Sequence, residues 1–179
     1  LDVQYVICPW IEHEIGSFGM ADVEKAAALF NKAGAAFKEV GIQFGYHTHG
    51  YEFRPIAEGS TETYFDKLVA ACKPGLVIFE MDVFWVTQPG QDAAKLLEKY
   101  GDRWELMHLK DLRKGARVGV YTGQAPKTDD VPLGTGQVNW PEVFAAAKKV
   151  GIKHYFIEDE SPTALEQIPQ SLAYLKSLQ

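Results

Sequence analysis

The chain has 179 residues, 46% of them hydrophobic and 23% charged, which is the size and balance of one globular domain and argues against a disordered or membrane-spanning protein. A formal net charge of −6 with no run of Lys or Arg argues against a nucleic-acid partner, because a phosphate-binding surface needs a basic patch. Cys8 and Cys72 lie in apolar surroundings without metal or redox spacing, the pattern of reduced thiols in a cytoplasmic protein.

The start, Leu1-Asp2-Val3, has no basic segment, no apolar signal stretch and no initiator Met, and reads as the middle of a longer sequence. Residues 3–9 form a β-rich run ended by Pro9-Trp10, which predicts a first strand. Residues 16–20 read as loop. From Asp22 as N-cap, apolar residues recur at helical spacing through Phe37 and Val40 until Gly41 stops them. Gln43–His47 is the second strand, 54–59 a loop, and 61–72 the second helix, closed by Pro74-Gly75. The third strand is 76–82 and the third helix 90–100, ending at Gly101. Trp104–Leu109 is the fourth strand. A long connection, 110–138, follows, of a length that in a compact domain is usually functional or poorly ordered. Asn139 caps a fourth helix through Val150-Gly151, with Pro141 at an early position. The fifth strand is 153–158, and the last helix, 162–178, is expected to break near Pro169. Strand then helix, five times over, predicts an α/β fold with a parallel sheet in a single domain over residues 1–179.

Parallel α/β folds place their chemistry at the carboxyl ends of the strands. Here the second strand ends at His47 with His49 beyond it, the third at Asp82, the fourth at His108 and the fifth at Glu158. Alternation turns Phe79 and Met81 towards the helices, so Glu80 and Asp82 face inward. Charged groups on an inner face need partners, and a divalent cation supplies one. A mixed nitrogen and oxygen set suits Mn, Co, Fe or Zn better than Ca.

The strings Gly45-Tyr46-His47-Thr48-His49-Gly50-Tyr51-Glu52-Phe53, Phe79-Glu80-Met81-Asp82-Val83-Phe84-Trp85, His108-Leu109-Lys110-Asp111, Gly134-Thr135-Gly136 with Asn139-Trp140, and Phe156-Ile157-Glu158-Asp159 resemble the sugar phosphate isomerase/epimerase family, with its xylose isomerase-like TIM barrel. The resemblance implies a partial TIM-barrel-like (βα)5 unit matching strands four to eight of a (βα)8 barrel, with the first three βα units lacking. It also implies one divalent metal ion (Mn, Co, Fe, Zn or Mg) held by His47, Asp82, His108 and Glu158. His47 stands where many relatives have glutamate. The two open sheet edges of such a unit lead us to expect a homodimer or higher homo-oligomer.

The function expected on this basis is a metal-dependent sugar isomerase or epimerase working through an enediolate on a small sugar or keto-sugar, with no nucleic acid and no membrane. Glu158 or His49 would move the proton, and Lys110 would polarise a carbonyl or bind an oxyanion. A lyase or dehydratase on a keto-sugar uses the same early steps. A non-catalytic truncated barrel that retains the metal is the alternative from another class. A DNA-repair endonuclease related to the family is disfavoured by the acidic balance. His49 is a donor to a ligand, an acid/base or a ligand itself. Glu52 pairs with Arg54 or positions His49. Trp10, Trp85 and Trp140 pack in the core or stack on a sugar ring. Gly134-Thr135-Gly136 is at most a weak phosphate loop, lacking the Lys-Ser/Thr of a nucleotide site.

Overall fold

Apolar runs become strands and amphipathic stretches become helices in the computed structural model, which describes residues 2–178. In chain order the elements are β1 (Tyr5–Cys8), α1 (Met20–Glu39), β2 (Gln43–His47), α2 (Tyr64–Ala71), β3 (Val77–Asp82), α3 (Val83–Thr87) and α4 (Ala93–Tyr100). They continue with β4 (Trp104–Leu109), β5 (Asp111–Leu112), β6 (Asp130–Val131), α5 (Trp140–Val150), β7 (His154–Ile157) and α6 (Ala164–Ser177). Five strands form one parallel sheet in the order β1-β2-β3-β4-β7, the half-barrel that the family resemblance implies. No helix among the described residues is long and apolar enough to cross a membrane.

The core lies between the sheet and its helices. Every residue of β3, the central strand, is buried, as expected where helices cover a parallel sheet. Phe65 on α2 stacks on Trp104 at 5.2 Å and meets Phe79 edge-on at 5.3 Å, tying helix to sheet through aromatic area. At the base the sheet curls until its ends meet. The Tyr5 hydroxyl on β1 donates to Glu105 on β4 at 3.2 Å, and its ring stands edge-on to His154 of β7 at 5.6 Å. That curl points the carboxyl ends of all five strands at one mouth.

Helix starts differ from the sequence reading because acids act from inside the first turn. Helix α1 begins at Met20, not after Asp22, since Asp22 reaches back to accept the Gly19 N–H at 2.9 Å. Helix α2 begins at Tyr64: Asp66 accepts the Thr63 N–H at 2.7 Å while Thr63 Oγ1 accepts the Asp66 N–H at 3.3 Å. Asp92 caps α4. The sequence reading has no α3; it forms because Asp82 Oδ1 accepts the Trp85 N–H at 3.1 Å. Pro169 does not break α6. The carbonyl it leaves without an N–H belongs to Leu165, a residue 92% exposed, where water can serve.

The long connection is ordered by one buried acid. Strands β5 and β6 pair antiparallel, and Asp111 on β5 is fully buried. Its Oδ2 accepts from Gly134 N (2.9 Å), Gly136 N (3.1 Å) and Trp140 Nε1 (2.9 Å), and its Oδ1 from Val138 N (3.2 Å). The glycine pair therefore wraps a carboxylate of its own chain, which takes the amides that a phosphate would use. Trp140 is likewise a core residue.

Candidate metal centre

Register sets the level of each inward side chain. Across β2 and β3, His47 pairs with Glu80; across β3 and β4, Asp82 pairs with His108. Because i and i+2 share a face, Glu80 lies one layer beneath Asp82 on the same inner wall. Two imidazoles and two carboxylates thus meet across three adjacent strands.

Their atoms divide into two sets. On the mouth side, Asp82 Oδ2 lies 3.8 Å from His47 Nε2 and 3.9 Å from His108 Nδ1, and Glu158 Oε2 lies 3.4 Å from the same His108 nitrogen. One ligand atom from each of His47, Asp82 and His108 falls within 4.8 Å of the others. On the base side, the remaining ring nitrogens face Glu80: His47 Nδ1 is 3.0 Å from Oε2 and His108 Nε2 is 3.4 Å from Oε1.

Asp82 Oδ2 and His108 Nδ1 are both buried and lack hydrogen-bond partners. Native interiors rarely leave such atoms unpaired, and these two are the atoms that converge. Burial pushes the Asp82 carboxyl up to about 6 against the pull of Lys110 and His47. A divalent cation among these nitrogen and oxygen atoms would satisfy both orphans and remove the cost of burying the carboxylate, so the residues fit a metal.

Glu158, just past β7, is held by a different partner. Lys110 Nζ donates to it at 3.2 Å and also contacts Glu160, with Asp130 at 3.9 Å. Burial would raise the Glu158 carboxyl, but the neighbouring His108 and Lys110 outweigh it and hold it below the usual carboxylate range. Lys110 itself is only 2% exposed; burial disfavours its charge, and the surrounding Asp82, Glu158 and Glu160 more than restore it. The lysine is thus an ion-paired anchor, with Phe84 and Trp85 rings beneath it at 5.4 and 5.5 Å.

His49 leaves the strand and turns away from the converging atoms, stacking on Trp85 at 4.6 Å. Its ring centroid is 5.6 Å from that of His47. Glu52 sets this turn: its buried Oε1 accepts the His49 backbone N–H at 2.8 Å and lies 3.1 Å from the Tyr46 hydroxyl. Arg54 does not pair with Glu52; it caps the carbonyls of Gly16 and Phe18 instead. Burial, with His47 and Lys110 nearby, pushes the His49 imidazolium down to about 3, so the ring is neutral at physiological pH.

Beside the centre is a cavity of about 290 Å³ lined by His49, Trp85, Lys110, Gln124, Lys127 and Glu160, among others. Its outer wall is the long connection, which crosses the mouth and touches the far side at Gly123. That glycine has φ +67°, and a Cβ there would sit 2.9 Å from ring atoms of Trp10 and Tyr51. Trp10 is also edge-on to His49 at 5.1 Å.

Of the residues expected at the strand ends, His47, Asp82 and His108 converge, Glu158 reaches His108 at 3.4 Å while bound to Lys110, and His49 turns aside onto Trp85. Glu80 is the participant that the sequence reading turns inward without assigning a role, and its alternation with Asp82 was the available signal. The strap around Gly123 left no comparable signal, because its place depends on contacts far away in sequence.

The model of the family described as xylose isomerase-like TIM barrel matches residues 7–178. The chain belongs to this family. Inosose dehydratase from Clostridium perfringens is 28% identical over 151 residues, covering 75% of this chain and 46% of that protein. Inosose dehydratase from Lacticaseibacillus casei is 25% identical over 150 residues, 75% of this chain and 45% of its own. The chain spans about half the length of these relatives. A sugar phosphate isomerase/epimerase of Parabacteroides distasonis ATCC 8503 is 29% identical, with a TM-score of 0.75 over 98% of this chain and 58% of that one. The IolI protein with a bound zinc atom shares the fold at 16% identity and a TM-score of 0.72, covering 98% of this chain and 62% of its own.

Proposed function

We propose that this chain carries the metal centre of an enzyme that removes a proton beside the carbonyl of a small sugar-like ketone, and that the reaction ends in loss of water. The observation that carries the reading is the pair of orphaned atoms, Asp82 Oδ2 and His108 Nδ1, converging with His47 beside an ionised Glu158. The dehydratase outcome is supported by the inosose dehydratases among the relatives.

His47, Asp82, His108 and Glu158 would hold the ion. A divalent cation there supplies Lewis-acid polarisation of a carbonyl oxygen, which acidifies the neighbouring C–H bond. His49 lines the cavity as a neutral imidazole with Nδ1 unpartnered, and takes the carbon proton. As the C–O bond one carbon further on breaks, His49 returns that proton to the departing hydroxyl, which leaves as water. Lys110 keeps Glu158 in place and presents a fixed positive charge to the developing oxyanion. The strap at Gly123 limits access of water.

Incubation of the Co²⁺- or Mn²⁺-loaded protein with an inosose, followed by mass spectrometry, tests this: the product lacks one water. The second reading, isomerase or epimerase, is favoured by the 29%-identical Parabacteroides protein and gives a product of unchanged mass that carries solvent deuterium. Absence of both products with metal bound would support a non-catalytic chain.

A further inference from the structure

The same glutamate touches both histidines of the centre, and it touches the nitrogens that the converging atoms do not use. Glu80 Oε2 lies 3.0 Å from His47 Nδ1, and Oε1 lies 3.4 Å from His108 Nε2. The opposite nitrogens, His47 Nε2 and His108 Nδ1, face Asp82 Oδ2 at 3.8 and 3.9 Å. A carboxylate only accepts hydrogen bonds, so Glu80 draws a protonated nitrogen of each ring towards itself; at His108 it competes with Glu158 Oε2, 3.4 Å from Nδ1, a carboxylate that Lys110 already pairs. A neutral imidazole carries one proton, which leaves the lone pair of each ring aimed at the mouth.

The geometry points to Glu80 as a positioning residue that fixes both imidazoles at once, His47 as its Nδ1–H tautomer and His108 as its Nε2–H tautomer, and so prepares two lone pairs for one ion. The inference rests on the metal reading above. Glu80 does not compete as a ligand in this arrangement, because an ion taken by its oxygens would have to displace both ring protons and would leave Asp82 Oδ2 and His108 Nδ1 orphaned. Its own burial, 5% exposed, shields the hydrogen bond to His47 and the contact with His108 from water. A side chain that merely filled space would need neither two acceptors nor this register.

Glu80→Gln is the discriminating variant. Its amide keeps the size but has one acceptor oxygen, so it can serve only one of the two ring N–H groups. Two readouts are required: titration calorimetry of metal-free protein with Zn²⁺, Co²⁺ and Mn²⁺, and long-range ¹H–¹⁵N spectra of ¹⁵N-histidine protein with the rings neutral. Assignment uses single-histidine variants. The expected result is a metal affinity about 10- to 100-fold weaker than wild type, with loss of the single-tautomer signature at one or both rings in folded protein. An affinity within about twofold of wild type, or tautomers unchanged in the variant, overturns the inference while leaving the metal reading intact. A wild type that binds none of the three ions overturns the metal reading, and the inference with it. If Glu80→Gln fails to fold, the wild-type spectrum decides alone: any tautomer other than Nδ1–H at His47 and Nε2–H at His108 overturns it.

Discussion

Asp82 and His108 sit on neighbouring strands in register, with Oδ2 and Nδ1 3.9 Å apart, both buried and neither hydrogen-bonded to anything. Asp82 divides its work by atom: Oδ1 caps α3 through the Trp85 N–H, and Oδ2 is left for the centre.

That division separates two variants. Asn is as good an N-cap as Asp, whereas Ala loses the cap at a cost of about 1 kcal/mol. Asp82→Asn should keep the fold and weaken metal binding at least tenfold. Asp82→Ala should weaken binding similarly and lower the urea unfolding midpoint as well. Equal stability of the two variants would contradict the capping role.

Asp111 holds the long connection by accepting four hydrogen bonds from Gly134, Gly136, Val138 and Trp140. Asp111→Ala orphans donors that are buried or partly buried, at ~1–3 kcal/mol each where water cannot reach. The expected loss of stability is at least about 3 kcal/mol by denaturant unfolding. A loss under about 1 kcal/mol would show that the connection is held by something else.

Gly123→Ala sets a methyl group against Trp10 and Tyr51 at a backbone angle that disfavours side chains by about 1–2 kcal/mol. The strap should shift while the strand ends stay in place. Substrate affinity should fall several-fold, and calorimetric metal affinity should stay at the wild-type value.

How much of this was legible in the sequence follows from the range of the interactions. His47, Asp82, His108 and Glu158 could be read because strand ends and side-chain alternation are local, and parallel topology turns local positions into a shared mouth. The part played by Glu80 could not, since alternation turns a glutamate inward without saying which nitrogens it will meet. Asp22 was misplaced as a cap because an acid three residues into a helix and an acid before it leave the same trace in sequence. The Gly134-Thr135-Gly136 turn was open as a phosphate loop because its true partner, Asp111, lies more than twenty residues earlier.

Stability should depend on acid through Asp66. Burial alone would raise its carboxyl, but hydrogen bonds from Lys99, Tyr100 and Thr63 outweigh it and bring it down to about 2. The unfolded value is about 3.9, so the unfolded chain binds the proton more readily. The stabilisation is therefore full above about pH 4 and is lost as the pH falls through about 2, ~2 kcal/mol in all. In urea titrations, Asp66→Asn should be less stable than wild type near neutrality, and the gap should close towards pH 2. A gap that stays constant across that window would contradict the assignment.

The most direct test of the metal centre is titration calorimetry of chelator-treated protein with Zn²⁺, Co²⁺ and Mn²⁺, run beside His47→Ala, Asp82→Asn and His108→Ala. Wild type should bind one ion per chain, and each variant, still folded by circular dichroism, should bind at least tenfold more weakly. Wild type that binds no ion, or three folded variants that bind as wild type does, would contradict the account.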